Sequence, residues 1–332
     1  MLRILHIADL HLGYRRFGDL GTAAPPQLRD SILERLASFL TPYSADSLGL
    51  SKKIDLLLIA GDLFDNQCPE EALVSRVMTA IKRIQDLGVT VITVPGNHDE
   101  ISYPDSVYRR YEKEWPGLLV TNREPEAIPL VVSGRRTVLV SMAYDAAYKI
   151  VHQPLDSFPE RHGESLHLCL LHAAFSDKAE LSRGTRTLLL DREAILGAGY
   201  DYIALGHQHR AEVLSYADEK GLLAYPGMIA PRLPSDPGDA QLLFVELERG
   251  LAPRYDWIPF PQPAVASSQS EPTMPSEAQL RSLALNESPA GALARCYLRD
   301  LAATGSQARR ELLPPALQLA LASISSEGEV RI

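Results

Sequence analysis

Five short clusters in this 332-residue chain carry side chains that can hold metal ions. In chain order they are Asp9 and His11 in A-D-L-H, Asp62 and Asp65 in G-D-L-F-D, and Asn97, His98 and Asp99 in G-N-H-D; His172 in L-L-H, then His207 and His209 in G-H-Q-H, complete the series. The donors are imidazole, carboxylate and amide oxygen, with no thiolate. That set suits Mn²⁺, Fe²⁺, Zn²⁺ or Mg²⁺ rather than a structural zinc site. Asp9 and His11 are two residues apart, so in an extended chain they point the same way, and so do His207 and His209. A carboxylate at a central strand end can bridge two cations. Asp62 is the natural candidate, with Gly61 letting the backbone approach closely. Two divalent ions about 3.5–4 Å apart can clamp a phosphate ester and activate a water between them.

Each cluster alone reads as an ordinary polar strand end. Their joint placement is what matters. Apolar runs at 2–8, 54–60, 89–94, 166–171 and 202–205 each lead directly into one cluster. Five of the nine histidines sit at these ends. Runs this continuous in Leu, Ile and Val suit strands buried on both faces, and a further run at 137–143 joins them. Helical patterns cover 27–40, with Leu28, Ile32, Leu36, Phe39 and Leu40 on one side, and 69–87, with Leu73, Val77, Ile81 and Ile84 in a stripe. Alternating strands and helices predict an α/β fold. In such sheets ligands bind at the carboxyl edge. Strands at 222–225, 241–247 and 254–258 have turns but no helix between them and predict an antiparallel part.

From Pro259 the chain turns rich in Pro, Ser and Ala. This composition divides it into a domain at 1–260, a linker at 261–275 and a small α+β module at 276–332, cut within a strand-like run that suggests truncation. The three cysteines, Cys68, Cys169 and Cys296, are far apart, which suits a reducing, cytoplasmic setting. The opening residues do not form a signal peptide, and no run has the length of a membrane span. A net charge of −9 argues against nucleic-acid binding over the whole surface while leaving room for a local basic track. His6 lies inside the first strand and reads as a satisfied core histidine or one that supports a ligand; His152, His162 and His167 have no partner pattern and read as structural or surface residues.

The series D-x-H, G-D-x-x-D, G-N-H-D, H and G-H-x-H, from Asp9 to His209, resembles the calcineurin-like metallophosphoesterases. That resemblance implies a two-sheet α/β/β/α sandwich. It implies one metal held by Asp9, His11, Asp62 and His209, and a second held by Asp62, Asn97, His172 and His207. His98 would face the scissile phosphate and stabilise or protonate the leaving oxygen. The Asp65 carboxylate would accept a hydrogen bond from His98 and fix its tautomer, the favoured reading, or else cap the helix starting near Pro69. Asp65 stands where purple acid phosphatases have tyrosine, and Asn66-Gln67 and Asp99 depart from the protein Ser/Thr phosphatase pattern.

A finer likeness is to the SbcD-type DNA repair nucleases, including the YhaO-like bacterial group, prokaryotic relatives of the eukaryotic meiotic-recombination nuclease. It rests on H-I-A-D-L-H-L-G-Y, I-A-G-D-L-F-D, V-P-G-N-H-D, Y-D-Y-I-A-L-G-H-Q-H and A-Y-P-G-M-I, with R-C-Y-L-R-D-L similar to the start of a small capping domain. Archaeal and eukaryotic members have histidine where Asp65 stands. The likeness implies Mn²⁺-dependent hydrolysis of DNA, exonuclease on duplex ends and endonuclease on single strands, in a homodimer. An SbcC-type coiled-coil ATPase is a partner by the same likeness. Tyr14, Arg15, Arg16, Arg183, Arg186, Arg210 and Arg232 are then candidate DNA contacts. The competing reading is a small-molecule or cyclic-nucleotide phosphodiesterase of the same fold.

Overall fold

The computed structural model describes residues 1–14, 29–40, 54–144, 165–175, 187–217, 220–232 and 241–260, with 163, 236 and 285. The expected linker and all but one residue of the C-terminal module lie outside these, as do Arg15, Arg16, Arg183, Arg186, His152 and His162. Most described residues belong to one compact unit, Met1–Tyr14 with Ala23–Pro261.

Two six-stranded sheets form the body. The first is built on β1 (Leu2–Ile7), β2 (Leu56–Ala60) and β3 (Thr90–Val94), paired in parallel. The two-residue β4 (Leu118–Leu119) adds to β3 in parallel. On the other side β13 (Gln241–Leu247) pairs antiparallel with β1, and β14 (Arg254–Pro259) with β13. The second sheet has β6 (Arg135–Ser141), β7 (Leu166–His172), β10 (Tyr202–Gly206) and β12 (Gly221–Tyr225) in parallel. Antiparallel β5 (Glu126–Val132) and β11 (Glu212–Tyr216) form its edges. A separate pair joins β8 (Ala174–Phe175) to β9 (Leu189–Leu190).

The predicted antiparallel stretch from 222 is thus divided between sheets. β13 and β14 form the expected hairpin, but β12 lies in the other sheet, parallel to β10. β13 lies in the first sheet, so the lack of a helix pattern after β12 did not mean direct pairing of the two.

Burial explains the layering. Along β2, Leu56 and Leu58 enter a core shared with Leu168, Leu170, Tyr202 and Ala204 of the second sheet. Leu57 and Ile59 point the other way, toward Leu36, Val77, Ile81 and Ile84 of helices α1 (Ile32–Phe39) and α2 (Glu71–Asp86). The apolar stripe of α2 keeps helical spacing, so it covers the sheet while its other face meets solvent. The short α3 (Val107–Arg110) adds Val107 and Tyr108 to that same core. On the far face of the second sheet, Cys169, Leu171, Ile203 and Leu205 pack with Ile195 of α4 (Arg192–Gly197). The layers are α/β/β/α. Strands with two buried faces must be apolar at successive positions, which is why they read as near-continuous runs. Among the described residues no helix is long and apolar enough to cross a membrane.

Candidate metal centre

The polar clusters meet where β1, β2 and β3 of one sheet and β7 and β10 of the other reach their carboxyl ends. Hydrogen bonding continues past the strands there. Asp9 N–H donates to Gly61 O at 3.2 Å, His11 N–H to Asp62 O at 2.9 Å, and Leu12 N–H to Leu63 O at 2.9 Å. The first two loops are thereby zipped together. The two sheets are joined at the same end, where His172 Nδ1 lies 2.9 Å from Ala60 O. Gly61, at φ +83°, leaves room for that ring; a side chain there would strike His172. Gly96 plays the same part for the Asp62 carboxylate.

Asp62 is central. Its Oδ2 is 3.6 Å from His11 Nε2 and 3.4 Å from His172 Nε2, and its Oδ1 accepts the His98 backbone N–H at 2.9 Å. Asn97 Oδ1 lies 2.9 Å from His172 Nε2 and 3.1 Å from His207 Nδ1. On the other side, ligand atoms of Asp9, His11 and His209 all fall within 4.8 Å of one another, as do those of Asp9, Asp62 and His172. The seven residues named from sequence as ligands therefore converge on one centre, where the metal-capable groups Asp9–His11–His209 and Asp9–Asp62–His172 have Asp9 in common and Asp62 faces both His11 and His172. His11 Nε2 is buried without a hydrogen-bond partner, as expected of a nitrogen shaped to meet a cation. A donor set of imidazole nitrogens, carboxylates and one amide oxygen fits divalent metal.

The electrostatics agree. Burial raises the Asp9 carboxyl to about 7, with the nearby Asp62 charge adding to the rise. Burial alone would raise Asp62, but the His172 charge and hydrogen bond, together with the His11 and His98 rings, outweigh it and hold this carboxyl well below the usual range. Burial opposes a proton on His172, yet Asp62 beside it raises the ring to about 9. Positive charge is thus drawn to the space between the carboxylates. Burial lowers His11 to about 4 and His207 to about 3, and it lowers His209 as well, keeping these rings in the neutral form that metals require.

His98 meets Asp62 through its backbone N–H, while its ring is turned toward Asp65 and His11. Its side chain is about one-third exposed, with Nδ1 3.0 Å from the main-chain oxygen of Asp65. The Asp65 carboxylate oxygen is 3.6 Å from that nitrogen and nearer, 3.3 Å, to His11 Nδ1. The His98 ring therefore bonds to the Asp65 carbonyl, and the Asp65 side chain leans toward His11. Asp99 is fully buried and accepts from Gly96 N–H at 2.7 Å, Phe64 N–H at 3.0 Å and Tyr108 O–H at 2.8 Å. It clips the Asn97–His98 loop to the Asp62–Asp65 loop.

Of the candidate DNA contacts, Arg210 is exposed beside His209. The Tyr14 ring is flanked by two guanidinium groups, Arg29 at 5.1 Å and Arg232 at 5.6 Å. Arg232 turns inward, with Nη1 3.4 Å from His11 Nδ1 and 3.6 Å from Asp65 Oδ1. His6 and His167 take structural positions, His6 Nδ1 2.7 Å from Tyr202 Oη and His167 backbone N–H donating to Asp201 at 2.8 Å. Thr187 and Asp236 were not foreseen. Thr187 Oγ1 is 3.2 Å from His207 Nε2, and Asp236 Oδ1 is 3.7 Å from His209 Nδ1. No motif spacing marks either residue, because each reaches the centre from a distant loop.

Residues 2–211 match the calcineurin-like phosphoesterase family. Among curated proteins, the chain is 24% identical over 259 residues to "Uncharacterized metallophosphoesterase YhaO" of Bacillus subtilis, covering 75% of this chain and 58% of that protein. It is 28% identical over 246 residues to "DNA double-strand break repair protein Mre11" of Aeropyrum pernix, covering 70% and 54%. To the protein of that name from Saccharolobus solfataricus it is 22% identical over 244 residues, covering 68% and 54%. The matched region thus spans just over half the length of these relatives.

Proposed function

Because the chain belongs to the calcineurin-like phosphoesterase family, we propose that it is a two-metal phosphodiesterase whose substrate is DNA. The observation that carries this reading is the shared carboxylate, Asp62 Oδ2 lying between His11 Nε2 and His172 Nε2 at 3.6 and 3.4 Å. One site would comprise Asp9, His11, Asp62 and His209, and the other Asp62, Asn97, His172 and His207. The relatives named as double-strand-break repair proteins support DNA as substrate. Mn²⁺ is the proposed ion. Exonuclease action on duplex ends and endonuclease action on single strands are the proposed activities. A homodimer, an SbcC-type ATPase partner and a cytoplasmic setting belong to the same proposal, as do the domain limits 1–260, 261–275 and 276–332.

Bound divalent ions would supply Lewis-acid polarisation of the phosphate and an activated water. The chain's own residues supply position. His172 gives its Nδ1–H to Ala60 O, leaving Nε2 as donor. With Nε2 3.2 Å from the Thr187 hydroxyl, His207 would give that oxygen its Nε2–H and keep Nδ1 for an ion. Asn97 adds an uncharged oxygen, which limits negative charge beside an anionic substrate. His98, held at Nδ1 by the Asp65 carbonyl, keeps Nε2 for the leaving oxygen. Arg210, with Arg15, Arg16, Arg183 and Arg186, remains the proposed phosphate track.

The test is a substrate panel with Mn²⁺ or Mg²⁺: end-labelled duplex, single-stranded circles, bis-p-nitrophenyl phosphate and cyclic nucleotides. Cleavage of both DNAs is expected. Turnover of a cyclic nucleotide with DNA untouched would replace the nuclease reading by the small-molecule one.

A further inference from the structure

Resting on this two-metal reading, we propose that Arg232 and Asp236 are positioning residues for the Asp9–His11–His209 site. Both come from the crossover between the sheets, far in sequence from the ligands they serve. Each histidine of that site has a carboxylate at its outer nitrogen. Asp65 Oδ1 is 3.3 Å from His11 Nδ1, and Asp236 Oδ1 is 3.7 Å from His209 Nδ1. A carboxylate facing Nδ1 draws the proton to that nitrogen and leaves Nε2 for the ion; with the His11 proton on Nδ1, the Arg232 guanidinium 3.4 Å from that nitrogen pairs with Asp65 instead.

Arg232 ties the two carboxylates together. Its backbone N–H donates to Asp236 Oδ2 at 2.9 Å, and its guanidinium Nη1 is 3.6 Å from Asp65 Oδ1. The guanidinium is also packed over the Tyr14 ring, whose other neighbour, Arg29, donates to Pro231 O at 2.7 Å. Gly13 N–H in turn bonds Asp30 at 2.7 Å. The crossover is thereby anchored to the loop that presents His11. A guanidinium committed to these contacts, on a side chain only 17% exposed, is not placed as a phosphate contact. The sequence expectation for Arg232 is replaced by an inward role.

The experiment is Mn²⁺ titration by calorimetry and electron paramagnetic resonance, with thermal melts of the metal-free proteins. Wild type binding two ions is the outcome the two-metal reading requires; fewer than two would sink that reading itself. Given two, Asp236→Ala and Arg232→Ala should each weaken one ion about tenfold and leave the other unchanged. Asp236→Asn, which keeps an acceptor oxygen, should stay near wild type. In His172→Ala, adding Asp236→Ala should weaken the ion that remains. Wild-type affinity for both ions in both alanine variants, or equal weakening of both, would overturn the proposal. Salt dependence of DNA binding separates the alternative for Arg232. An unchanged slope supports the inward role, whereas a slope reduced by about one would make Arg232 a phosphate contact and overturn its part.

Discussion

At the scale of single residues, the centre is held under backbone strain. Asp9, His11, Asp62 and His207 have φ of 53°, 45°, 50° and 95°. They are four of the six non-glycine residues with positive φ among the described residues. Such conformations persist where the surroundings over-determine them, and here they aim the donors inward. Residue types and spacing made the donors readable in advance. They did not show where the Asp65 carboxylate would turn. G-D-L-F-D fixes a loop path, but Asp65 Oδ1 ends nearer His11 than His98 and faces Arg232, which is brought from a distant loop. His98→Ala should retain both ions while turnover falls at least a hundredfold, since removing one general acid or stabilising donor costs about that much. Loss of an ion in that variant, seen by the same titration, would make His98 a ligand instead.

At the scale of elements, the buried strands and the edge strand β14 were legible, and the edges of the second sheet were not. β1, β2, β3, β7 and β10 are apolar on both faces, so their runs stand out. β5 alternates half-buried and exposed residues and contains Pro129, an edge-strand feature, and β11 is mostly half-buried. Neither carries a strong pattern. The loops between elements are fixed by single buried groups, above all Asp99 and the Tyr108 hydroxyl on α3. Asp99→Ala would leave two backbone N–H groups and one hydroxyl without their acceptor. A loss of about 3 kcal/mol is expected by chemical denaturation, against about 1 kcal/mol for Tyr108→Phe. Equal stability of both variants with wild type would deny the clip its role.

At the scale of the whole molecule, the centre exists only where two sheets meet, so its ligands and its stability share one interface. His6 shows the coupling. It sits in β1 of the first sheet with no exposed surface, hydrogen-bonded to Tyr202 on β10 of the second. Burial lowers this ring to about 3 from its ordinary 6.5. The unfolded chain therefore takes up a proton first as pH falls. The His6 contribution to stability is complete above about pH 6.5 and declines toward pH 3, by about 1.4 kcal/mol per pH unit within that window. Chemical denaturation with chelator present should show a flatter pH dependence in His6→Gln than in wild type. Parallel curves would mean that His6 titrates normally. Local sequence could not show this pairing, because the partners are 196 residues apart.

The central claim is that two ions sharing Asp62 drive cleavage of DNA. Its most direct measurement is the cleavage rate of end-labelled duplex as Mn²⁺ is titrated, with bound ions counted in the same samples. The account predicts that cleavage follows occupancy by the second ion and disappears in Asp62→Asn, where both sites lose their common ligand. Duplex left intact with two ions bound, or full cleavage by Asp62→Asn, would contradict it.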